Sequence, residues 1–299
     1  DEPSVRRWSA RASLAGSMGL VALSLLVAFL ASGQGVAHGS ARFRSAAGSS
    51  AAGTPQQAVS YRIVGCRSRG AAPYRGGPPR RVVAIGFDDG PASDTAAFVS
   101  MLEHSHARAT FFEIGRQVSA SYRATMLRAL RDGDVLGDHT YNHPDLTRGG
   151  VDVQAELLHT IGAIRAQTGY TPCLFRPPYG AYDAAVVRAA RALGLATVMW
   201  NVDPADWAQP GTTAIEQRVL AQVRPGSIVI SHDGGGSRGQ TLAAYPHIIA
   251  ALRRRGYGIV TINELLGFRP VYAPCIRLCD SLGIPRAQLP RDAILQRVR

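Results

Sequence analysis

The run Val82-Val83-Ala84-Ile85-Gly86-Phe87-Asp88-Asp89-Gly90-Pro91 constrains this chain more than any other stretch. Its apolar half reads as a buried strand, and Gly90-Pro91 ends it. Two neighbouring carboxylates are therefore expected where that strand leaves the core. Adjacent like charges at the edge of an apolar interior are unfavourable unless something cationic or protonated holds them, because each gives up hydration to be there. A counter-charge is found in Gly137-Asp138-His139-Thr140-Tyr141-Asn142-His143, where two histidines four apart follow another short apolar segment. One carboxylate and two imidazoles make a three-ligand set for a divalent metal with a position left open for water. The second carboxylate is then free to act as a base.

Three further stretches carry chemistry. In Arg176-Pro177-Pro178-Tyr179-Gly180 the guanidinium follows Cys173-Leu174-Phe175 and precedes two prolines, which places it at a strand end within reach of a carboxylate. The proline pair sets an extended turn that aims the Tyr179 N–H outward as an oxyanion donor. In Asp203-Pro204-Ala205-Asp206-Trp207 the indole suits either the apolar face of a bound ring or the core. In Ile228-Val229-Ile230-Ser231-His232-Asp233 an imidazole ends a strongly apolar strand beside the Gly234-Gly235-Gly236 triplet. That side chain is accessible and suited to give a proton near neutral pH, its other readings being a metal ligand or a loop cap. His38, His104, His106, His159 and His247 have no partner motif and read as surface residues.

These five stretches, in this order, resemble the motifs of the polysaccharide deacetylase family, the NodB-homology group of metal-dependent carbohydrate deacetylases (carbohydrate esterase family 4). The likeness spans residues 80–267, with one departure: the family usually carries Thr or Ser where this chain has Gly86. The resemblance implies that Asp89, His139 and His143 hold one divalent ion, zinc first with cobalt or nickel as alternatives, and that Asp88 is the catalytic base, oriented by Arg176. It further implies that Asp206 holds the catalytic acid His232, that Trp207 walls the pocket, and that Ile230 lines it for the acetyl methyl group. The Tyr179 N–H then helps hold the oxyanion. The implied partner is an acetylated polysaccharide, either N-acetylated wall sugars of peptidoglycan or chitin type, or an O-acetylated xylan-type polymer. An inactive carbohydrate-binding protein on the same fold would be expected to lack a ligand or the base, and all are present. A glycosidase needs its two carboxylates some ångströms apart across the scissile bond, which adjacent Asp88 and Asp89 suit poorly.

Apolar runs at 82–87, 109–114, 135–137, 174–175, 196–201, 227–231 and 258–262 alternate with helical patterns at 94–104, 122–132, 151–168, 184–193, 213–222 and 242–255. Such alternation predicts a parallel sheet with helices outside it, and motifs at every strand's C-terminal end predict a barrel. The expected fold is α/β, a distorted (β/α) barrel of about seven parallel strands, the NodB-homology type. This domain is read over 81–267, after an irregular lead-in at 61–80 and before a tail at 268–299. Residues 1–33 read as a signal peptide or membrane anchor, with Arg6, Arg7 and Arg11 before the apolar 14–30, and 34–60 as a flexible linker. The chain is therefore expected to be exported, secreted or anchored on the outer face of the membrane, and monomeric.

All 33 basic residues are Arg, against 21 Asp and Glu, for a net charge of +12. The absence of Lys excludes Schiff-base chemistry and a P-loop, and no nucleic-acid-reading motif is present. An exported chain with four cysteines is expected to be oxidised. The expectation is a bridge from Cys66 to Cys275 or Cys279 that pins the tail, with Cys173 paired to the other or buried and free.

Overall fold

The computed structural model describes residues 61–68 and 73–274. In chain order the elements are β1 (Tyr61–Arg67), β2 (Val82–Gly90), α1 (Thr95–His104), β3 (Thr110–Glu113), α2 (Arg123–Asp132), β4 (Val135–Asp138), α3 (Val153–Thr168), β5 (Leu174–Phe175), α4 (Ala184–Ala192), β6 (Ala196–Thr197), α5 (Thr212–Gln222), β7 (Ile228–His232), α6 (Gly239–Arg254), β8 (Gly258–Val260), α7 (Ile262–Leu265) and β9 (Arg269–Pro274). The leader or anchor at 1–33 and the linker at 34–60 lie outside the described residues. Among the described residues no helix is long and apolar enough to cross a membrane.

The large sheet runs β6-β5-β4-β3-β2-β7, with β8 also paired to β2, and every pairing in it is parallel. It curls into a partial barrel. Strand β2 lies at its centre because nearly every residue in it is buried on both faces, as a central parallel strand requires. Its odd positions face the helices: the Phe87 ring lies 4.9 Å from that of Phe98 on α1 and 4.8 Å from that of Tyr245 on α6. Its even positions, Gly86 and Asp88, therefore face the interior of the curl. Helix ends follow local chemistry. The Asp152 and Asp183 side chains accept from the first backbone N–H groups of α3 and α4, and α2 and α3 stop at Gly133 and Gly169 with left-handed φ of 94° and 68°.

Two expectations require correction. The strand read at 196–201 ends at Thr197, because residues of the supposedly irregular lead-in take up the pairing beyond it. The Tyr74 N–H donates to Thr197 O and its carbonyl accepts from Met199 N, while Gly77 N donates to Gly226 O beside β7. The same lead-in contains β1, which pairs antiparallel with β9 of the expected tail, from Tyr61 opposite Pro274 to Arg67 opposite Arg269. Arginines in both strands and prolines in β9 hide the alternation that would reveal a partly buried ribbon, and the partners are distant in sequence.

The disulfide expectation is also corrected. Cys66 is bonded to Cys173, with Cα atoms 5.3 Å apart. The Val64 carbonyl accepts from Thr171 N, which lays β1 alongside the approach to β5 and brings the two thiols together. Residues 269–274 are held to the domain by the β1–β9 ladder. Cys275 and Cys279 lie outside the described residues. Because the bond closes a loop of 107 residues, replacing Cys66 and Cys173 together by Ala is expected to lower the unfolding free energy by about 2–5 kcal/mol, measured by denaturant titration.

Candidate functional site

The C-terminal ends of β2, β4, β5 and β7 supply the chemistry. Asp88 stands in register with Phe112 on β3 and with His232 on β7. Successive residues of a strand point to opposite faces, so Asp88 and Asp89 would ordinarily diverge. A register shift between Asp88 and Gly90 and a left-handed φ of 71° at Asp89 turn the second carboxylate back toward the first. Gly234 completes the arrangement, since a Cβ there would collide with the Asp89 carbonyl.

Asp89 Oδ1 lies 3.5 Å from His139 Nε2 and 3.2 Å from His143 Nε2. These three residues offer ligand atoms that all lie within 4.8 Å of one another, the one such group among the described residues. His139 Nδ1 is 2.6 Å from the Arg176 carbonyl, which only accepts, so Nδ1 carries a proton and Nε2 is the ring atom turned toward Asp89. His143 Nδ1 lies 3.2 Å from the Tyr179 hydroxyl. Asp89 Oδ1 is buried and has no hydrogen-bond partner. Burial disfavours the Asp89 carboxylate, yet the imidazoles of His139 and His143 outweigh it and hold its carboxyl well below the usual range. An ionised oxygen and two imidazole nitrogens converging on one point fit a divalent cation of the zinc type.

Asp88 is 2 % exposed, and its Oδ1 accepts from Arg176 Nη1 at 2.7 Å. Its Oδ2 faces the other way, 3.9 Å from His139 Nε2. The fully buried guanidinium of Arg176 stacks 4.2 Å from the Phe112 ring centre and 5.7 Å from that of Trp200. On the opposite side, His232 Nδ1 donates to Asp206 Oδ1 at 2.8 Å, while Asp206 Oδ2 accepts from His232 N and from the Thr241 hydroxyl, each at 2.9 Å. Burial alone would lower the His232 pKa, but the Asp206 carboxylate, with Asp88 and Asp89 behind it, raises it above the ordinary value.

Tyr179 and Trp207, at 72 % and 60 % exposed, flank these groups at the surface, and Ile230 is buried opposite Gly86 in the β2–β7 register. Trp207 is therefore a surface residue and not part of the core. His104, His106, His159 and His247 are exposed, as the sequence indicates, and His38 lies outside the described residues.

Several contributors were assigned no role from the sequence. Arg238 is buried and donates to the Gly234 and Gly235 carbonyls and to that of Trp207, tying the glycine loop to the Trp207 turn. Glu113 and Asp233 bring their carboxyl groups together over the Gly90 α carbon. Burial, reinforced by the charge of Asp233, pushes Glu113 well above its normal range, and burial pushes Asp233 up to about 7. For Glu113 a signal was present, a carboxylate inside the apolar run Thr110–Glu113. For Arg238 there was none.

The Tyr179 contact identifies a support for His143. If the three residues hold a divalent ion, Tyr179→Phe, which removes the hydroxyl that meets Nδ1, is expected to weaken zinc binding about 10–100-fold, measured by titration calorimetry, and Asp89→Ala to abolish it.

Residues 75–198 match the family model described as polysaccharide deacetylase. The chain is 35% identical over 192 residues to a peptidoglycan-N-acetylglucosamine deacetylase of Bacillus cereus, covering 63% of this chain and 90% of that one. It is 38% identical over 199 residues to a chitooligosaccharide deacetylase of a Bradyrhizobium species, covering 62% and 90%. Among solved structures it is similar to a peptidoglycan N-acetylglucosamine deacetylase in complex with a naphthalenyl N-oxidanyl-benzamide, with a TM-score of 0.62 and 29% identity over 65% of this chain and 92% of that one. The curled parallel sheet, the converging strand ends and these likenesses together place this chain in the polysaccharide deacetylase family.

Proposed function

We propose that this enzyme hydrolyses the N-acetyl groups of wall or extracellular polysaccharide, outside the cytoplasm, using one divalent ion held by Asp89, His139 and His143. The observation that carries the reading is the buried Asp89 oxygen that faces the Nε2 atoms of His139 and His143 at 3.5 and 3.2 Å. The N-acetylated character of the substrate rests on the relatives, which are named for peptidoglycan N-acetylglucosamine and for chitooligosaccharide. A divalent ion bound there supplies a Lewis acid for the acetyl carbonyl and makes a water acidic enough to attack near neutral pH.

The chain's own residues divide the proton work. Arg176 occupies Asp88 Oδ1 and fixes the carboxylate plane, which leaves Oδ2 on the histidine side to take the proton of the attacking water. The Tyr179 N–H is assigned as an oxyanion donor. On the far side, Asp206 holds Nδ1–H of His232, so the proton at Nε2 is the one delivered to the leaving amine. Trp207 offers its exposed ring to the apolar face of a sugar, and Ile230 receives the acetyl methyl.

The deciding experiment treats N-acetylated chitooligosaccharide and O-acetylated xylooligosaccharide with the chain. Free amine and acetate from the first are expected, with activity lost in chelator and restored by zinc, cobalt or nickel. Acetate from the xylan-type substrate alone reverses the substrate assignment, and full activity of the metal-free protein sinks the metal reading.

The acid His232 must be protonated to act, and its raised pKa carries that form above the ordinary imidazole range. The alkaline loss of activity is therefore expected as pH rises through this elevated value. Asp206→Asn removes the charge that raises it, so the alkaline limb of kcat should move to lower pH. A limb that stays in place would show that another group delivers the proton.

A further inference from the structure

The loop between His139 and His143 turns two side chains four residues apart onto one point, and its shape is fixed peptide by peptide. The Thr140 carbonyl accepts from Gly115 N and the Tyr141 carbonyl from Arg116 N, both just beyond β3. In a trans peptide the N–H points away from the C=O. The opposite ends of the same two peptide units, the N–H groups of Tyr141 and Asn142, donate to a single oxygen, Glu156 Oε2, at 2.9 and 2.7 Å. Glu156 Oε1 accepts from the Asn142 side-chain amide at 2.8 Å. Two successive peptide planes are thus clamped from both sides. The clamp is needed, because Thr140 and His143 bracket the loop with left-handed φ of 64° and 63°, which residues carrying a side chain adopt only under constraint.

Glu156 stands on a firm base. It lies in the first turn of α3, where the helix dipole favours an anion. The helix is anchored without it, through the fully buried side chains of Leu157, Thr160 and Ile164. Thr160 meets the start of the loop after β3 directly: a Cβ on Gly115 would lie 2.6 Å from its hydroxyl oxygen.

We propose that Glu156 is a positioning residue for the His139–His143 pair. By tying the Tyr141 and Asn142 N–H groups to α3, it sets the approach of the two Nε2 atoms to Asp89 Oδ1, at 3.5 and 3.2 Å. The inference rests on the proposed metal site, whose ligands it orients. Its effect travels through the backbone, since His143 N closes the loop on the Thr140 hydroxyl. When the carboxylate is removed, water satisfies the two N–H groups but does not fix them to α3. His143 then leaves its place, while His139 keeps the bond from Nδ1 to the Arg176 carbonyl.

The test is calorimetric titration of the full chain with zinc, below the unfolding midpoint of each variant. Glu156→Ala is expected to weaken zinc binding about 10–100-fold, the range for groups that orient a metal ligand. Glu156→Gln keeps one oxygen to accept from both N–H groups, and its NH₂ faces Asn142, whose amide turns to offer its own oxygen. That variant should therefore bind zinc as the wild type does. The cobalt-loaded chain gives a second readout: its visible absorption reports ligand geometry, and should change in Glu156→Ala and be restored in Glu156→Gln. Equal zinc affinity in wild type and Glu156→Ala, or a loss in Glu156→Gln as large as in Glu156→Ala, would overturn the proposal. If Glu156→Ala does not fold, Glu156→Asp, which keeps the charge but withdraws it by one carbon, should show the weakened binding. Wild-type affinity in that variant, or failure of both to fold, overturns the role equally. Absence of zinc binding by the wild type overturns the proposed metal site itself, whereas binding indifferent to residue 156 overturns only the role of Glu156.

Discussion

The buried ion pair between Arg176 and Asp88 is the interaction on which the rest of the site depends. Removing both charges from water costs several kcal/mol per ion before their attraction is counted, and a buried pair is weak evidence for stability. Its value here is geometric. The same residue reaches three strands: its side chain holds Asp88 on β2, its ring contact is with Phe112 on β3, and its carbonyl accepts Nδ1–H of His139 just beyond β4. One short segment, Leu174 to Arg176, thereby sets both the orientation of a carboxylate and the tautomer of an imidazole. Loss of the guanidinium would strand Asp88 as an uncompensated buried charge, and a shift in the backbone would turn the ring of His139.

The backbone around the site is held away from its ordinary preferences. Among the described residues, seven other than glycine have left-handed φ, and six of these, Asp89, Thr140, His143, Tyr179, Ala205 and Gln209, lie in the loops that carry the site. Each such conformation costs of order 1–3 kcal/mol and persists only where its surroundings over-determine it. Those surroundings are visible. Asp138 Oδ1 accepts from Thr140 N, the Thr140 hydroxyl accepts from His143 N, and Glu156 on α3 accepts from the N–H groups of Tyr141 and Asn142. The four-residue spacing of His139 and His143 is thus converted into a pair of converging rings by a hydrogen-bonded loop and not by a helix, whose i and i+4 positions it superficially suggests.

This contrast shows what the sequence makes legible. The pairing of carboxylates with imidazoles follows from charge arithmetic alone, and the strand–helix alternation follows from long apolar runs with clear breaks. Arg176 beside Asp88 was readable because a guanidinium before two prolines at a strand end has few places to go. The β1–β9 ribbon was not readable, since Arg62, Arg67, Arg269 and Pro270 break the period that marks a half-buried strand. The Cys66–Cys173 bond was missed for the same reason: it depends on β1 lying beside the approach to β5, a non-local fact. Arg238 and the meeting of Glu113 with Asp233 depend on loops that fold over β2. No spacing along the chain encodes such contacts.

A final constraint concerns which of the interior's acids can receive a cation. Asp89, Glu113, Asp138 and Asp233 each have a buried carboxyl oxygen without a hydrogen-bond partner. Burial pushes Glu113 and Asp138 well above their usual ranges and Asp233 up to about 7. Burial thus works against a negative charge on all three. Asp88 is paired with the Arg176 guanidinium. Asp89 alone combines an unpartnered oxygen with a carboxyl held well below the normal range, and it alone has two imidazole nitrogens turned toward that oxygen. Of these acids, Asp89 is thus the one whose surroundings favour a charged carboxyl with an oxygen left open at the strand ends. That contrast, more than the presence of paired aspartates, supports the proposal of Asp89 as the ligand and Asp88 as the base.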